Sequence, residues 1–334
     1  MKELEKFDPR IFEIIKKEEE REESFHLVVL SVGLGPSPDA SAFARRAGIK
    51  LGKFNFGGAN LLTPLESSKA GIFMAGSFAG PTGTSDALIQ ATAVAGKVAI
   101  QLNKEGNGGG GLPTFLTDYS DAQAVGAQDK GLLRRKVQAV LVIGGGISGM
   151  QAALDLAEQG IETFLVERED ELGGQVRKLY YLLGGEDPQA FLQGLIQKVT
   201  GHPRIRLFLG ARLAGLQGEA GHFQATLSQG SSQTIVRHGA LVVATGGREA
   251  GLEESAVQWN RHPAGLQAGR PYHLTQGEYE ARLAQGETGG DTVVMIQCVG
   301  SSKQSRPYCS RVCCSAAIKN ALKIKELSPR THVV

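Results

Sequence analysis

Two groups of residues in this chain have the types and spacing that redox cofactors require. The first is the run Gly144-Gly145-Gly146-Ile147-Ser148-Gly149, a Gly-x-Gly-x-x-Gly pattern. Its glycines permit a tight turn, a close approach of the backbone to a pyrophosphate, and close packing of a helix on a strand. The second group comprises all four cysteines, which lie in one short stretch: Cys298, Cys309, Cys313 and Cys314. The sequence therefore predicts a dinucleotide site and a metal or redox site.

The glycine run has the sequence context that a dinucleotide site needs. We predict a strand at 137–143, a helix at 148–159 and a second strand at 163–167, which together form a βαβ unit. Glu167 follows the motif by about 20 residues, the position of the carboxylate that accepts the ribose hydroxyls. The amino end of the helix supplies free N–H groups and the positive end of its dipole to the phosphates. The candidate binding residues here are Gly144, Gly146, Ile147, Ser148, Gly149, Glu167 and Arg168.

Two further stretches favour FAD over NAD, although either cofactor can occupy this motif. Leu172-Gly173-Gly174-Gln175 would give an extended cofactor a second place of close backbone approach. Val242-Val243-Ala244-Thr245-Gly246 is a strand that ends on a turn of small residues. We therefore add Gly173, Gly174, Gln175, Ala244, Thr245 and Gly246 to the predicted FAD site.

The four cysteines match the number of thiolates that a cubane iron–sulfur cluster needs. We predict that Cys298 ends a strand at 292–298 and that Cys309 and Cys313 lie one turn apart at the start of a helix at 310–327. Cys313 and Cys314 would point about 100° apart on a helix, so the first turn must fray for both to reach one metal cluster. Buried structural cysteines are the alternative that the spacing leaves open.

Composition sets the broad class of the protein. The 334 residues are 41% hydrophobic, which suffices for two domains with real cores. A net charge of +2 gives no basis for a nucleic-acid partner. No run of eighteen apolar residues is present, and residues 16–23 are charged where a signal peptide would be apolar. We predict no membrane span and a cytoplasmic location.

The predicted fold class is α/β, with a Rossmann-like FAD-binding domain on a parallel sheet and a partial second nucleotide-binding-like βαβ unit. Composition and periodicity divide the chain into five segments. These are a charged helical lead at 1–26, a segment with two apolar strands and an apolar-rich helix at 27–102, a Gly-rich linker at 103–136, the FAD-binding domain at 137–255, and a partial NAD-like unit with the cysteines at 256–334.

The sequence resembles the A-type subunits of heterodisulfide reductases, a family of flavin- and iron–sulfur-bearing electron-transfer proteins related in fold to thioredoxin reductase. The resemblance rests on three stretches: 140–153, 294–301 and Pro307-Tyr308-Cys309-Ser310-Arg311-Val312-Cys313-Cys314. It implies bound FAD, a [4Fe–4S] cluster on the four cysteines, and other electron-transfer subunits as partners. A homodimer is left open.

A segment like Gly71-Ile72-Phe73-Met74-Ala75-Gly76-Ser77-Phe78-Ala79-Gly80-Pro81 closes the flavin domain near the carboxyl end in that family, and here it lies near the amino end. The resemblance thus implies that 27–102 is a carboxyl-terminal-type piece of a flavin domain. The linker would join this tail of one module to the front of another, with Gly76 and Ser77 facing the flavin. Ser77 stands where many flavoproteins have Asp, and the ferredoxin-type cysteine run of some relatives is absent.

We therefore predict an FAD-dependent oxidoreductase or electron-transfer subunit that passes electrons between FAD and an iron–sulfur cluster. One alternative is a pyridine-nucleotide-linked flavin disulfide reductase, although those enzymes generally use Cys-x2-Cys or Cys-x4-Cys. The other is a non-catalytic flavin-binding assembly subunit. The sequence identifies no catalytic acid or base.

Overall fold

The computed structural model describes residues 27–58, 62–103, 116–117, 136–251, 273–301 and 307–334. The predicted lead at 1–26, most of the predicted linker at 103–136, and residues 252–272 lie outside this description. Two compact units are present. The glycine-turn unit contains the described residues of Pro36–Arg177 and Ala190–Gly247, and the cysteine unit contains residues 27–35, Lys178–Gln189 and the described residues of Arg248–Val334.

The strands of the described residues follow in chain order. They are β1 (Leu27–Leu30), β2 (Leu34–Pro36), β3 (Ile72–Met74), β4 (Leu116–Thr117), β5 (Ala139–Ile143), β6 (Glu162–Val166), β7 (Ile205–Phe208), β8 (Ala211–Glu219), β9 (His222–Gln229), β10 (Ser232–His238), β11 (Ala240–Val243), β12 (Gly247–Glu249), β13 (His273–Thr275), β14 (Thr292–Ile296) and β15 (His332–Val333).

The α-helices of the same residues are α1 (Ala40–Ala47), α2 (Thr84–Asn103), α3 (Ile147–Glu158), α4 (Pro188–Gly201), α5 (Gln276–Leu283) and α6 (Cys313–Leu327). Short 3-10 turns occur at Gly76–Phe78 and Gly174–Lys178. None of the described helices is both long enough and apolar enough to cross a membrane.

A five-stranded parallel sheet in the order β3-β11-β5-β6-β7 forms the centre of the glycine-turn unit. Every residue of β5 is buried, as expected for a parallel strand covered on both faces. The β5-α3-β6 unit is the one that the hydrophobic pattern predicts, so the predicted α/β fold with a parallel sheet is confirmed. Strand β3 joins the same sheet, with Ile72 opposite Leu241 and Met74 opposite Val243.

The same unit also contains an antiparallel sheet in the order β4-β10-β9-β8. Strand β9 alternates buried and partly buried residues, so Phe223, Ala225 and Leu227 face the core. They pack in one cluster with Phe43 of α1 and residues of the parallel sheet such as Leu141. This packing places the first turn of α1 near the carboxyl ends of the parallel strands.

His238 at the end of β10 is the most deeply buried ionisable group of this sheet. Its ring stacks on Phe223 with centroids 5.5 Å apart, and its Nδ1 lies 2.8 Å from the carbonyl oxygen of Ala240. The Nδ1–H therefore donates, and Nε2 is buried without a hydrogen-bond partner in the described structure. Burial lowers the pKa of His238 from 6.5 to about 4, against a smaller opposing effect of the Ala240 hydrogen bond.

We expect this histidine to make the protein less stable in mild acid. The unfolded chain takes up a proton on His238 near pH 6.5, whereas the folded chain resists it down to about pH 4. The free energy of unfolding should therefore fall by roughly 3 kcal/mol from this group between pH 7 and pH 4. His238→Asn, which keeps a donor near Nδ1, should flatten that part of the pH dependence in denaturant titrations. His222→Asn on partly exposed β9 is the control, and equal slopes for both variants would contradict the prediction.

The cysteine unit is built on a four-stranded parallel sheet in the order β13-β1-β14-β15. Strand β1 is buried throughout and lies between its two neighbours, with Val29 opposite Leu274 on one side and Met295 on the other. Helix α5 begins with a capping box in which Thr275 and Glu278 exchange side-chain and backbone hydrogen bonds. The predicted β-α-β arrangement of residues 292–334 is present as β14, α6 and β15.

The structure divides the predicted piece 27–102 between the two units. Strand β1 pairs in the cysteine unit, whereas β3 and α2 belong to the glycine-turn unit. The apolar run of β1 correctly indicates a buried strand, but such a run carries no information about which sheet the strand joins. The assignment of the segments to flavoprotein modules stays a prediction.

A buried polar network attaches Lys178–Gln189 to the two helices of the cysteine unit. The Nζ of Lys319 lies 2.8 Å from a carboxylate oxygen of Glu280 and donates to the carbonyl of Tyr181 at 3.0 Å. The Tyr181 hydroxyl donates to Asn320 at 2.7 Å, and Asn320 donates to Gln276. Both charges are paired and hydrogen-bonded, which is the condition under which burial of an ion pair is tolerated.

Candidate functional site

Two glycines of the turn between β5 and α3 are required by the packing of the surrounding backbone. Gly144 has φ 114°, and a Cβ there would collide with the Ala244 carbonyl oxygen. A Cβ on Gly149 would collide with the carbonyl oxygen of Gly144. Both contacts would be far too short for real atoms, so the first and third glycines serve the packing of helix on strand.

Gly146 differs from these two glycines because a Cβ placed on it meets nothing within 4 Å. It caps α3 in an extended conformation with φ −75°, which any residue can adopt. The space beside it adjoins the amino end of α3, where backbone N–H groups and the helix dipole favour an anion. The fold of this chain alone thus gives no reason for a glycine at this position.

A second glycine pair lies against this turn. Gly173 forms a parallel bridge with Gly146 and donates from its N–H to the Gly145 carbonyl at 2.8 Å. A Cβ on Gly174 would lie 3.1 Å from the Cα of Gly146. Gln175 follows in the 3-10 turn and is exposed. The structure therefore brings the two predicted places of close backbone approach together.

Glu167 follows β6 and is bonded to the glycine turn. One of its carboxylate oxygens accepts the N–H of Gly145 at 2.5 Å, and the other accepts the N–H of Glu169 at 2.9 Å. The residue is 8% exposed. Arg168 lies next to it and pairs with Asp39 at 3.0 Å. Glu167 thus fixes the turn, and each oxygen keeps a lone pair for another donor.

A cleft opens at the carboxyl ends of β5 and β6 beside these residues. Its walls come from five places in the sequence: α1 with the residues just before it, the ends of β5 and of β6, the start of β8, and Thr245. The lining residues are Ser37, Asp39, Ala40, Phe43, Arg46, Ile143, Gly144, Val166, Glu167, Arg168, Ala211, Arg212, Leu213 and Thr245. The hydroxyl of Thr245 is buried and has no hydrogen-bond partner among the described residues.

Sequence reasoning placed Gly144, Glu167, Arg168 and Thr245 in this site and missed the contributions of α1 and β8. Ser37, Asp39, Phe43, Arg46 and Arg212 enter the cleft only through tertiary packing. No local motif marks them, although a short amphipathic helix after Asp39 could have been read from the alternation of apolar residues with Arg45 and Arg46.

The predicted flavin-facing residues of the amino-terminal piece lie close to the glycine turn. Gly76 has φ 64°, and a Cβ on it would collide with Ser148 Oγ, so packing on α3 explains this glycine. Its N–H donates to the side chain of Gln90 at 3.0 Å. Ser77 donates from its hydroxyl to the carbonyl of Thr82 at 3.4 Å. Gly246, by contrast, has open space around it.

The cysteines lie on the cysteine unit, and their local structure differs from the prediction in two respects: Cys309 is not in the helix, and Cys298 is not in the strand. Helix α6 begins at Cys313, so Cys309 precedes the helix instead of lying in its first turn. Arg311 has φ 63°, a left-handed conformation that cannot continue a helix. Cys298 lies two residues beyond the end of β14, also with a left-handed φ of 58°.

The thiol of Cys313 is affected electrostatically by the other three thiols. Burial raises the pKa of the Cys313 thiol, and the charges of Cys298, Cys309 and Cys314 raise it further. Those three cysteines are exposed. In the part of the chain that the structure describes, however, no three Cys, His, Asp or Glu side chains are arranged to hold a metal ion. The predicted convergence on one cluster therefore stays a prediction.

The glycine turn, the parallel sheet and the cleft define a class of protein that the comparisons also identify. Residues 139–207 match the family model described as "FAD dependent oxidoreductase". The matched residues include β5, the glycine turn, α3 and β6. The match confirms the prediction that the motif belongs to a flavoprotein.

The resemblance to the A-type subunits of heterodisulfide reductases is also confirmed. The chain is 27% identical to the iron-sulfur subunit of this type from the CoB–CoM heterodisulfide reductase of Methanocaldococcus jannaschii, over 58% of this chain and 42% of that protein. A shorter match reaches 40% identity to the A-type subunit of the ferredoxin:CoB-CoM heterodisulfide reductase of Methanosarcina acetivorans, over 27% of this chain and 12% of that one. The chain thus spans less than half the length of these relatives.

A solved structure matches about a third of the chain. L-proline dehydrogenase from P. horikoshii is 24% identical over 32% of this chain and 22% of its own, with a TM-score of 0.30. A likeness of this size carries no argument about function.

Proposed function

We propose that the glycine-turn unit binds FAD and that the chain serves as an electron-transfer oxidoreductase subunit. The observation that carries this proposal is the open space beside Gly146 at the amino end of α3. A pyrophosphate would accept hydrogen bonds from the free N–H groups there, and a glycine at this position keeps the space clear.

The residues of the cleft suit the adenosine end of the cofactor. Glu167 would accept ribose hydroxyls with the lone pairs that Gly145 and Glu169 leave free. The unpartnered hydroxyl of Thr245 would find a partner in a bound molecule. Arg168 would border the ribose while held by Asp39. Ile147, Ser148 and Gly149 would present the first turn of α3 to the phosphates.

The remaining predicted residues would contact the rest of the cofactor. Gly173, Gly174 and Gln175 would follow the extended molecule past the glycine turn, and Ala244 and Gly246 would border it at the end of β11. Gly76 and Ser77 would lie on the flavin side because Gly76 packs on Ser148. Bound FAD supplies the electron chemistry, and the chain supplies position and exclusion of water.

We further propose that Cys298, Cys309, Cys313 and Cys314 hold a [4Fe–4S] cluster. Two features support this: the other three thiols act electrostatically on Cys313, and Cys298, Cys309 and Cys314 are exposed. The name of the relative from Methanocaldococcus jannaschii includes "iron-sulfur". Electrons would then pass between FAD and the cluster, with other subunits of a redox complex as donors or acceptors.

The deciding experiment is an anaerobic preparation analysed for flavin, iron and acid-labile sulfide. We expect flavin bands together with a broad cluster absorbance, and an iron content approaching about four per chain. Flavin without iron would reduce the function to flavin-dependent chemistry alone. Iron without flavin would overturn the FAD proposal.

A substitution at Glu167 tests the ribose contact. Glu167→Ala should weaken FAD binding by about 1 to 3 kcal/mol, the scale of a lost charge-assisted hydrogen bond. The dissociation constant is measured by titrating the apoprotein with FAD and following flavin fluorescence. Glu158→Ala, at the far end of α3, removes a carboxylate away from the site and should leave the constant unchanged. Equal affinities in the two variants would mean that Glu167 makes no contact with the cofactor.

A further inference from the structure

The two cysteine-bearing loops of the cysteine unit are attached to the same short stretch of chain. This stretch, which we call the anchor segment, is residues 31–34 and directly follows β1. It lies more than 260 residues before the cysteines in sequence, since Ser31 and Gln297 are 266 positions apart. The anchor segment bonds to residues on both sides of Cys298 and on both sides of Cys309.

The loop with Cys298 is bonded to Ser31 at three points. The N–H of Ser31 donates to the carbonyl of Ile296 at 2.9 Å, and the carbonyl of Ser31 accepts the N–H of Val299 at 3.1 Å. The Ser31 hydroxyl donates to the side chain of Gln297 at 2.7 Å. Residues before and after Cys298 are thus fixed, while the Cys298 side chain remains exposed in its left-handed conformation.

The loop with Cys309 is bonded to Leu34 in a similar way. The N–H of Leu34 donates to the hydroxyl of Ser310 at 2.8 Å, and the hydroxyl of Tyr308 donates to the carbonyl of Leu34 at 3.2 Å. Ser310 is buried at 4% exposure, whereas Cys309 is exposed. The two neighbours of Cys309 are therefore fixed while its thiol faces solvent.

The separation of the two loops follows from the length of the anchor segment. Three virtual bonds join the Cα atoms of Ser31 and Leu34, so these atoms are at most about 11 Å apart. The turn at Gly33, with φ 78°, shortens this distance. Two loops that are separated in sequence are in this way held side by side by a third segment.

We propose that the anchor segment positions Cys298 and Cys309 as a pair, and that Ser31, Tyr308 and Ser310 are positioning residues for the thiol site. The function of this pairing rests on the proposed cluster. The contacts that hold the two loops side by side do not depend on it. Ser31 and Tyr308 act through the loops, whereas the Ser310 hydroxyl also hydrogen-bonds to the thiol of Cys313. No motif marks them in the sequence beyond the adjacency of Tyr308 and Ser310 to cysteine.

The first arm of the test measures iron loading. Tyr308→Phe and Ser310→Ala each remove one hydroxyl from the anchor contacts. Tyr279→Phe and Ser328→Ala remove hydroxyls that bond elsewhere in the same unit, to Thr288 and Thr331. After anaerobic reconstitution with limiting iron and sulfide, the anchor variants should hold about two- to tenfold less iron than the controls, the range for loss of one hydrogen bond.

The second arm needs no iron. In a Cys313→Ser, Cys314→Ser background, only Cys298 and Cys309 remain, and a short bis-maleimide joins them at a rate that reports their proximity. Mass spectrometry of the peptides measures this rate. Tyr308→Phe and Ser310→Ala should slow it about two- to tenfold, with Tyr279→Phe and Ser328→Ala unchanged and thermal unfolding similar in all variants.

The two arms separate the positioning role from the proposed function. If wild type binds no iron while cross-linking depends on Tyr308 and Ser310, the pairing stands and the cluster proposal fails. If cross-linking in the anchor variants equals that in the controls, the positioning role is overturned, whether or not the wild type binds iron.

Discussion

Gly146→Val is expected to yield a folded protein that purifies without flavin. The substituted side chain meets no protein atom within 4 Å of its Cβ, and the φ of −75° suits valine. The fold should therefore tolerate it. The same side chain would occupy the space at the amino end of α3 that the pyrophosphate needs, so we expect flavin content to fall at least about tenfold. Absorbance at the flavin bands relative to protein measures it.

The control for this variant is Gly201→Val. Gly201 ends α4, is exposed, and has no atom within 4 Å of the place that a Cβ would take, so it accepts the same substitution away from the site. Circular dichroism should show both variants folded. A Gly146→Val protein that retains wild-type flavin would remove the glycine turn from the FAD site. Gly144 and Gly149 cannot serve in this test because valine there would collide with the backbone.

Replacement of Cys309 is expected to remove most of the iron while leaving the flavin. Cys309 belongs to the cysteine unit, and the glycine turn belongs to the other. Loss of one of four thiolates should reduce iron and the broad cluster absorbance several-fold in an anaerobic preparation. The flavin-to-protein ratio of the same sample is an internal control.

Two substitutions of Cys309 distinguish the loss of a metal ligand from a disturbance of the loop. The sulfur of Cys309 accepts the N–H of Arg311 at 3.3 Å. Cys309→Ser keeps an acceptor for this N–H, whereas Cys309→Ala does not. Both should lose iron if Cys309 is a ligand. Full iron in Cys309→Ser would show that the residue only shapes the loop, and wild type without iron would show that the quartet is structural.

The sequence predicted the part of the fold that local pattern determines. The strand, glycine turn and helix around Gly144 were located to within two residues, because a buried parallel strand is continuously apolar and the turn needs glycine. The pairing of β1 with β13 and β14 was not predictable, since every residue of β1 is apolar and would suit any buried sheet. Helix α6 starts at Cys313 because Arg311 is left-handed, and a non-glycine residue gives no warning of this.

The candidate site likewise has one part that the sequence predicts and another that it does not. Glu167 and the glycines could be found because their roles need fixed residue types at fixed spacing. The walls of the cleft from α1 and β8, including Phe43 and Arg212, depend on how the antiparallel sheet packs. Contacts of that kind are determined by tertiary packing, so no periodic pattern in the sequence marks the residues that make them.

The central place of β1 in its sheet has a consequence for synthesis on the ribosome. The residues that bond to β1 and to the anchor segment are synthesised much later than these elements. Gln297, which bonds to Ser31, emerges 266 positions after it. At about 5–20 residues per second, this strand waits roughly ten seconds to a minute for its neighbours. The glycine-turn unit, whose described residues end at Gly247, can fold during that interval. Contacts this far apart in sequence form slowly and leave an apolar strand exposed, so the cysteine unit should fold after the glycine-turn unit and depend more on chaperones.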